Sequence, residues 1–156
     1  MKEPFYRHLS KSDIPVLVSE DQKITNKLIA GEYKGKKSML PTESDLLIIW
    51  GKSKKNGEQF INIPSEFNTM LYLIKGSMRV KGYGLVDAEN LLVFEKEGNA
   101  IEISFYENSQ FLLLSGAAIH EKVSQSGSFV MNSQTEILEA MRDYQMGKMG
   151  VLIEEK

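Results

Sequence analysis

The sequence predicts an all-β fold, an antiparallel sandwich or barrel, with one α-helix near the C-terminus. Three observations support this prediction: short runs of strand-favouring residues, glycine turns between them, and one segment of helical periodicity. The strand and turn signals are clearest from Phe67 to Phe94, where Met70–Ile74 is followed by the break Lys75-Gly76. Glycine can adopt the positive φ of a tight turn, so we expect the chain to reverse at Gly76.

The remaining strand segments show two patterns. Ser77–Lys81 and Ala100–Tyr106 alternate between apolar and polar residues, which predicts one buried face and one solvent face. Leu46–Trp50 and Phe111–Leu114 are continuously apolar, which predicts strands that are buried on both faces.

The segments before and after Leu46–Trp50 carry weaker signals. Gln22–Glu32 predicts a strand that ends at Gly31, and Lys34–Glu43 predicts a loop because it contains glycine, proline and polar residues. Glu58–Ile63 alternates and predicts a further strand, with Phe60 set against polar neighbours.

The C-terminal segment predicts one amphipathic helix of about three turns that packs against or near the sheet. Ser133 and Glu136 have the spacing of a capping box, in which each side chain satisfies a free backbone N–H. Gly147 suits the position just past the end of the helix. Apolar residues recur at helical spacing at Ile137, Ala140, Met141 and Tyr144.

Length and composition limit the classes of function. A chain of 156 residues fits one domain, which we place at residues 14–150, after an N-terminal arm (1–13) and before a tail (151–156). The absence of cysteine excludes disulfides, zinc–thiolate sites and thiol catalysis, and is compatible with the cytoplasm, where we expect the protein. The start Met1-Lys2-Glu3-Pro4 predicts no secretory signal.

No nucleic-acid or membrane partner is expected. The net charge is −2, so the chain has no overall basic footprint, and its apolar runs are too short to cross a bilayer. Two groups of lysines predict either solvated loops or a polyanion-binding patch: Lys34, Lys36, Lys37 and Lys52, Lys54, Lys55.

Candidate catalytic residues are few. The chain has two histidines, His8 and His120, which are the weak candidates for metal ligands, and no arrangement of nucleophile and base is recognisable. Carboxylates are numerous, but most fall at turns or on the outward phase of strands, where solvation accounts for them. No catalytic residue is assigned from the residues themselves.

Several motifs, taken in order, resemble the pirin family. Met1–Val16 (MKEPFYRHLSKSDIPV) is similar to the segment that joins the two halves of pirin-family proteins. Ile29–Glu32 (IAGE), Leu71–Gly76 (LYLIKG) and Phe129–Asn132 (FVMN) resemble further motifs of the family. The resemblance extends over nearly the whole chain, to about Gly150.

The resemblance implies a cupin-like domain that corresponds to the C-terminal half of a bicupin. In the family, iron usually lies in the N-terminal cupin, held by three histidines and a glutamate, and that half has no counterpart here. Where a metal-binding cupin would carry His-x-His, this chain has Glu66–Thr69, and no histidine follows at Ala88–Phe94. The resemblance therefore implies no metal or catalytic residue and no cofactor in this chain.

Three functions stay open at this point. The first is a structural or partner-binding module, either a homo-oligomer or one half of a pair with a separate N-terminal pirin half. The second is metal-dependent activity like that of quercetin 2,3-dioxygenase, through His8, His120 and carboxylates or by completing a partner's site. The third is a small-ligand pocket inside the barrel, with candidate lining residues Trp50, Phe60, Tyr72, Met78 and Phe94.

Overall fold

The structure, a computed structural model, describes residues 6–150. Its contacts divide the chain into two compact units, Met1–Ala118 and Ile119–Lys156. Residues 1–5 of the predicted arm and the predicted tail 151–156 lie outside the described residues. The described part of the arm contains a short 3₁₀ turn at Lys11–Asp13.

In the described part of the first unit, residues 6–118, the chain forms twelve strands. Their bounds are β1 Val16–Val18, β2 Ile24–Ala30, β3 Glu32–Tyr33, β4 Lys36–Lys37, β5 Leu46–Ser53, β6 Glu58–Asn62, β7 Asn68–Lys75, β8 Ser77–Val80, β9 Gly84–Asp87, β10 Asn90–Phe94, β11 Ala100–Phe105 and β12 Ser109–Gly116.

Two antiparallel sheets form the body of this unit. One has six strands in the order β1-β2-β5-β12-β7-β10, and the other has four in the order β6-β11-β8-β9. β3 and β4 pair separately as a small hairpin, and β4 lies inside the region predicted as a loop. The predicted antiparallel sandwich is thus confirmed, and the loop prediction for 34–43 missed β4.

The core lies between the two sheets and draws apolar side chains from the inner face of each. The rings of Phe105 and Phe111 stack with their centroids 5.5 Å apart, and both side chains are buried. Gly51 is required beside them, because a Cβ at this position would lie 2.1 Å from Cζ of Phe111. The register of β5 against β12 therefore depends on a glycine facing an aromatic ring.

The expected burial pattern holds for some strands and not for others. Met78 and Val80 are buried and Arg79 is exposed, as alternation predicts. The predictions of full burial for β5 and β12 were wrong, because both strands alternate between buried and half-exposed residues. An apolar run places apolar residues on both faces of a strand, but in β5 and β12 only one of those faces contacts the core.

The chain reverses at Gly76, as the sequence predicts. Gly76, between β7 and β8, has φ +89°, and a Cβ there would lie 2.3 Å from Oγ of Ser109. A side chain at this position would be both strained and crowded, so glycine permits the direct connection of the two sheets.

The second unit contains a hairpin and the helix. Strands β13 (Ser124–Ser126) and β14 (Phe129–Met131) pair, and helix α1 (Gln134–Gln145) contacts both. The helix is confirmed, whereas the hairpin was not predicted. The Phe129 and Tyr144 rings meet edge-on, with centroids 6.1 Å apart.

The predicted N-cap of α1 is present with one difference. The Glu136 N–H donates to Oγ of Ser133 at 3.3 Å. The Glu136 carboxylate accepts a hydrogen bond of 3.0 Å from the N–H of Asn132. In a capping box it would instead accept from the N–H of the N-cap residue, Ser133. Gly147 adopts φ +72° beyond the helix end, as expected for a left-handed cap.

Candidate functional site

The outer face of the six-stranded sheet carries two rows of apolar side chains across neighbouring strands. Pairing places these residues side by side on the face opposite the core. The first row is Trp50, Leu112, Tyr72 and Leu91, and the second is Ile48, Leu114, Met70 and Val93. These eight residues are called the apolar face below.

Half of the apolar face is substantially exposed. Met70 and Tyr72 are 36% and 38% exposed, and at the edge strand Leu91 and Val93 reach 56% and 71%. The other four residues are half-buried. Soluble domains rarely leave a contiguous apolar patch of this kind uncovered, so the apolar face is a candidate interaction surface.

One end of the apolar face is basic. The ammonium groups of Lys27 and Lys52 lie 5.0 Å and 4.9 Å from the centre of the Trp50 ring, within the range of cation–π attraction. Beyond this ring a notch of about 270 Å³ is lined by Lys23, Lys52, Lys54 and Lys75, with no carboxylate among its lining residues. Of the second predicted group of lysines, Lys52 and Lys54 thus line this notch, and Lys55 lies in the neighbouring turn.

The position expected for His-x-His does not offer the donors of an iron site. Glu66 is exposed, Phe67 packs against the core, and Oγ1 of Thr69 forms a buried hydrogen bond of 2.8 Å with Oγ of Ser115. These groups are committed to solvent or to the core and include no imidazole. The residues therefore do not fit the three-histidine and glutamate set that the family resemblance associates with iron.

The two histidines are not brought to a recognisable centre. His8 and His120 are both exposed, and they belong to different compact units. Within residues 6–150, no group of three or more histidine, aspartate or glutamate side chains has the arrangement to hold a metal ion.

The predicted pocket-lining residues are distributed over several surfaces. Met78 is fully buried in the core, and Phe94 is half-buried against it. Trp50 and Tyr72 lie on the apolar face, and Phe60, which is 50% exposed, points outward while Gln59 is buried. The structure therefore removes Trp50, Tyr72 and Phe60 from the space between the sheets, because the inward phase of each strand falls on the alternate residues.

Sequence reasoning missed most of the apolar face. Leu112 and Leu114 were assigned to a fully buried strand, and Leu91 and Val93 were not singled out. The available signal was the combination of a continuous apolar run with antiparallel strands, since antiparallel sheets commonly leave one face open. An apolar residue on that open face is a candidate for contact with another domain.

The two antiparallel sheets define the class of the protein as a β-sandwich domain, and the similarity to known proteins identifies it as a cupin domain of a particular family. The model of the pirin C-terminal cupin domain matches residues 49–150. The chain therefore belongs to the pirin family and corresponds to the C-terminal cupin domain of its members.

Individual relatives agree with this assignment. The chain is 33% identical to a pirin-like protein of Solanum lycopersicum and 30% identical to pirin of Homo sapiens, in each case over 96% of its own length and 52% of the relative. A crystal structure of quercetin 2,3-dioxygenase from Acinetobacter baumannii is 28% identical with a TM-score of 0.86, over 96% of this chain and 52% of that one. The chain thus spans about half the length of the relatives it matches.

Within residues 6–150, no helix combines the length and the apolar character needed to cross a bilayer.

Proposed function

We propose that this pirin-type cupin domain is a partner-binding module whose apolar face docks on a second cupin domain, the N-terminal half of a pirin-type protein. The observation that carries the proposal is the pair of exposed apolar rows on the six-stranded sheet. Burial of these side chains would favour association, since each square ångström of apolar surface removed from water contributes roughly 25 cal/mol.

The size of the relatives supports this choice of partner. The pirin relatives extend about as far again beyond the matched region, because the chain covers 52% of the Solanum and human proteins. A domain that is one half of its relatives has a natural counterpart in the other half. Association with a second copy of the chain through the same face is the other outcome that the experiment distinguishes.

Charge indicates how the partner is oriented. Because lysines border one end of the apolar face, we expect the partner to place acidic residues opposite Lys27, Lys52 and Lys75. Such pairs at an exposed rim affect the association rate and its salt dependence more than the final affinity. Association should therefore slow as the salt concentration rises.

The test is a sedimentation measurement on the chain alone and mixed with N-terminal halves of the Solanum and human relatives. We expect a one-to-one complex that Leu91→Glu weakens at least tenfold, because a carboxylate would be buried in an apolar contact. Leu85→Glu is the matched control, since Leu85 is similarly exposed, at 63%, on the outer face of the other sheet.

Two results would contradict the proposal. One is a chain that stays monomeric at high concentration and associates with neither N-terminal half. The other is a complex that both glutamate variants weaken equally. If the chain forms a dimer that Leu91→Glu dissociates, the apolar face is the interaction surface, but its partner is a second copy of the chain.

A second candidate function is quercetin 2,3-dioxygenase-like activity, favoured by the similarity to the Acinetobacter baumannii structure. The chain would contribute to such activity by completing a site on a partner. The check is an assay of quercetin consumption by an N-terminal half with and without this chain. A rate that the chain does not change would count against this alternative.

A further inference from the structure

A crevice opens along one edge of the sandwich, between the edge strands β1 and β6. It has a volume of about 550 Å³, and the hairpin of β3 and β4 borders it. This is within the range of roughly 300–1,000 Å³ that is typical of small-molecule sites. Its lining includes the apolar side chains of Leu17 and Ile24, whereas the Phe60 side chain points to the outer face of β6.

Two buried carboxamides in the lining of this crevice are incompletely satisfied. Asn26 and Gln59 are 5% and 7% exposed, and they project inward from the two facing sheets. Neither Oδ1 of Asn26 nor Oε1 of Gln59 has a hydrogen-bond partner within residues 6–150. Most buried polar atoms in proteins are paired, so two unpaired acceptors in one crevice call for an explanation.

A phenol adds a third polar group to the same crevice. The Tyr33 hydroxyl donates to the carbonyl of Phe60 at 3.3 Å and accepts from Nε2 of Gln59 at 3.4 Å. Both distances are longer than those of strong hydrogen bonds, so a ligand could replace these contacts at little cost. Two buried acceptors without a partner and one hydroxyl that can donate or accept thus belong to side chains that line the crevice.

The charges at the rim are balanced. Two lysines, Lys34 and Lys36, and two glutamates, Glu20 and Glu58, line the crevice. The Lys36 ammonium donates to the carbonyl of Val16 at 3.0 Å and is held there. A rim with equal numbers of both signs selects for neither an anion nor a cation.

We propose that this crevice binds a small neutral molecule with several hydroxyl groups, of the size of a monosaccharide or cyclitol. Hydroxyls would donate to Oδ1 of Asn26 and Oε1 of Gln59 once each buried amide rotates toward the crevice, and the carbon skeleton would pack against Leu17. The crevice is much larger than the space that one water molecule occupies, about 30 Å³. It lies at the edge between the sheets, so the proposal is independent of docking by the apolar face.

Saturation-transfer NMR with D-glucose, myo-inositol and D-mannitol as probes tests this site. We expect at least one probe to bind, and Gln59→Met and Asn26→Leu each to weaken its binding at least tenfold. Both variants replace an amide that carries an unpaired buried acceptor with an apolar side chain of similar size, and the one hydrogen bond lost with Gln59 is the long 3.4 Å contact with Tyr33, so their melting temperatures should stay close to that of the parent. Gln125→Met, on the exposed strand β13, is the matched control and should leave binding unchanged.

Leu17→Ala provides a test that does not depend on the buried amides. Because Leu17 is only partly buried, on the edge strand β1, its truncation should preserve folding and still weaken probe binding severalfold. The proposal is overturned if none of the three probes binds at tens of millimolar. It is also overturned if binding survives unchanged in both amide variants, because the amides then hold only water.

Discussion

The outer faces of the two sheets differ in the side chains that they present to solvent. On the four-stranded sheet, Lys81 forms an ion pair of 2.7 Å with Glu102, and Arg79 and Ser104 are paired neighbours. On the six-stranded sheet, the corresponding central positions are the rows of the apolar face. The inner faces of both sheets pack on the same core, so core packing does not account for the difference between their outer faces.

Core formation and surface function therefore place separate demands on a strand. Alternation with charged residues is sufficient for a sheet that faces only the core, as β8 and β11 show. Apolar residues on the second face of β5, β7, β10 and β12 serve no purpose for the core itself. They are consistent with a surface that another domain covers, and the following changes test the distinction.

Loss of an inner-face ring should have the largest effect. Phe111→Ala removes a fully buried side chain that stacks on Phe105 and fills the space above Gly51. We expect the free energy of unfolding to fall by about 3–5 kcal/mol, measured by urea denaturation. Leu85→Ala, on an outer face, should change it by less than about 0.5 kcal/mol. Equal losses for the two variants would show that the assignment of inner and outer faces is incorrect.

A polar pair on the inner face should have an intermediate effect. Thr69 and Ser115 lie opposite each other on β7 and β12 and share one buried hydrogen bond. Thr69→Val leaves the serine hydroxyl unpaired and should cost about 1–3 kcal/mol in thermal or urea unfolding. Adding Ser115→Ala should recover much of this loss, because both partners are then apolar. If the double variant loses more free energy of unfolding than the two single variants lose together, this explanation is contradicted.

The ion pair on the outer face should have the smallest effect. Lys81 and Glu102 are both largely solvent-exposed, so their attraction is screened by water and salt. Lys81→Met should change the free energy of unfolding by about 0–1 kcal/mol, with the difference shrinking at high salt. A larger and salt-independent loss in the same denaturation experiment would mean that this face is less solvated than its exposure indicates.

The sequence predicted the fold best where one face of a strand is polar. Alternation in Ser77–Val80 and Ala100–Phe105 identifies the inward residues directly, because the period of two has a clear phase. In β5 and β12 both phases are apolar, so the pattern could not place Trp50 inside or outside. Pairing across the sheet resolves the phase, and that pairing includes register shifts near Ala30 and Phe111.

The candidate sites were less predictable than the fold. Asn26 and Gln59 are polar residues at inward positions, and only the three-dimensional arrangement shows that they line one crevice. Leu91 and Val93 form part of a surface because β10 pairs with β7 at the sheet edge. Such neighbourhoods join residues that are distant in sequence, and no local pattern encodes them.

Hydroxyl-radical footprinting with and without an N-terminal pirin half tests the central claim most directly. Met70 is 36% exposed on the apolar face, and Met39, 50% exposed, lies outside it and serves as the internal control. Methionine oxidation reports solvent access at each side chain. We predict that a saturating partner lowers Met70 oxidation severalfold and leaves Met39 oxidation unchanged. Unchanged oxidation of Met70 in a mixture that contains the complex would contradict docking through the apolar face.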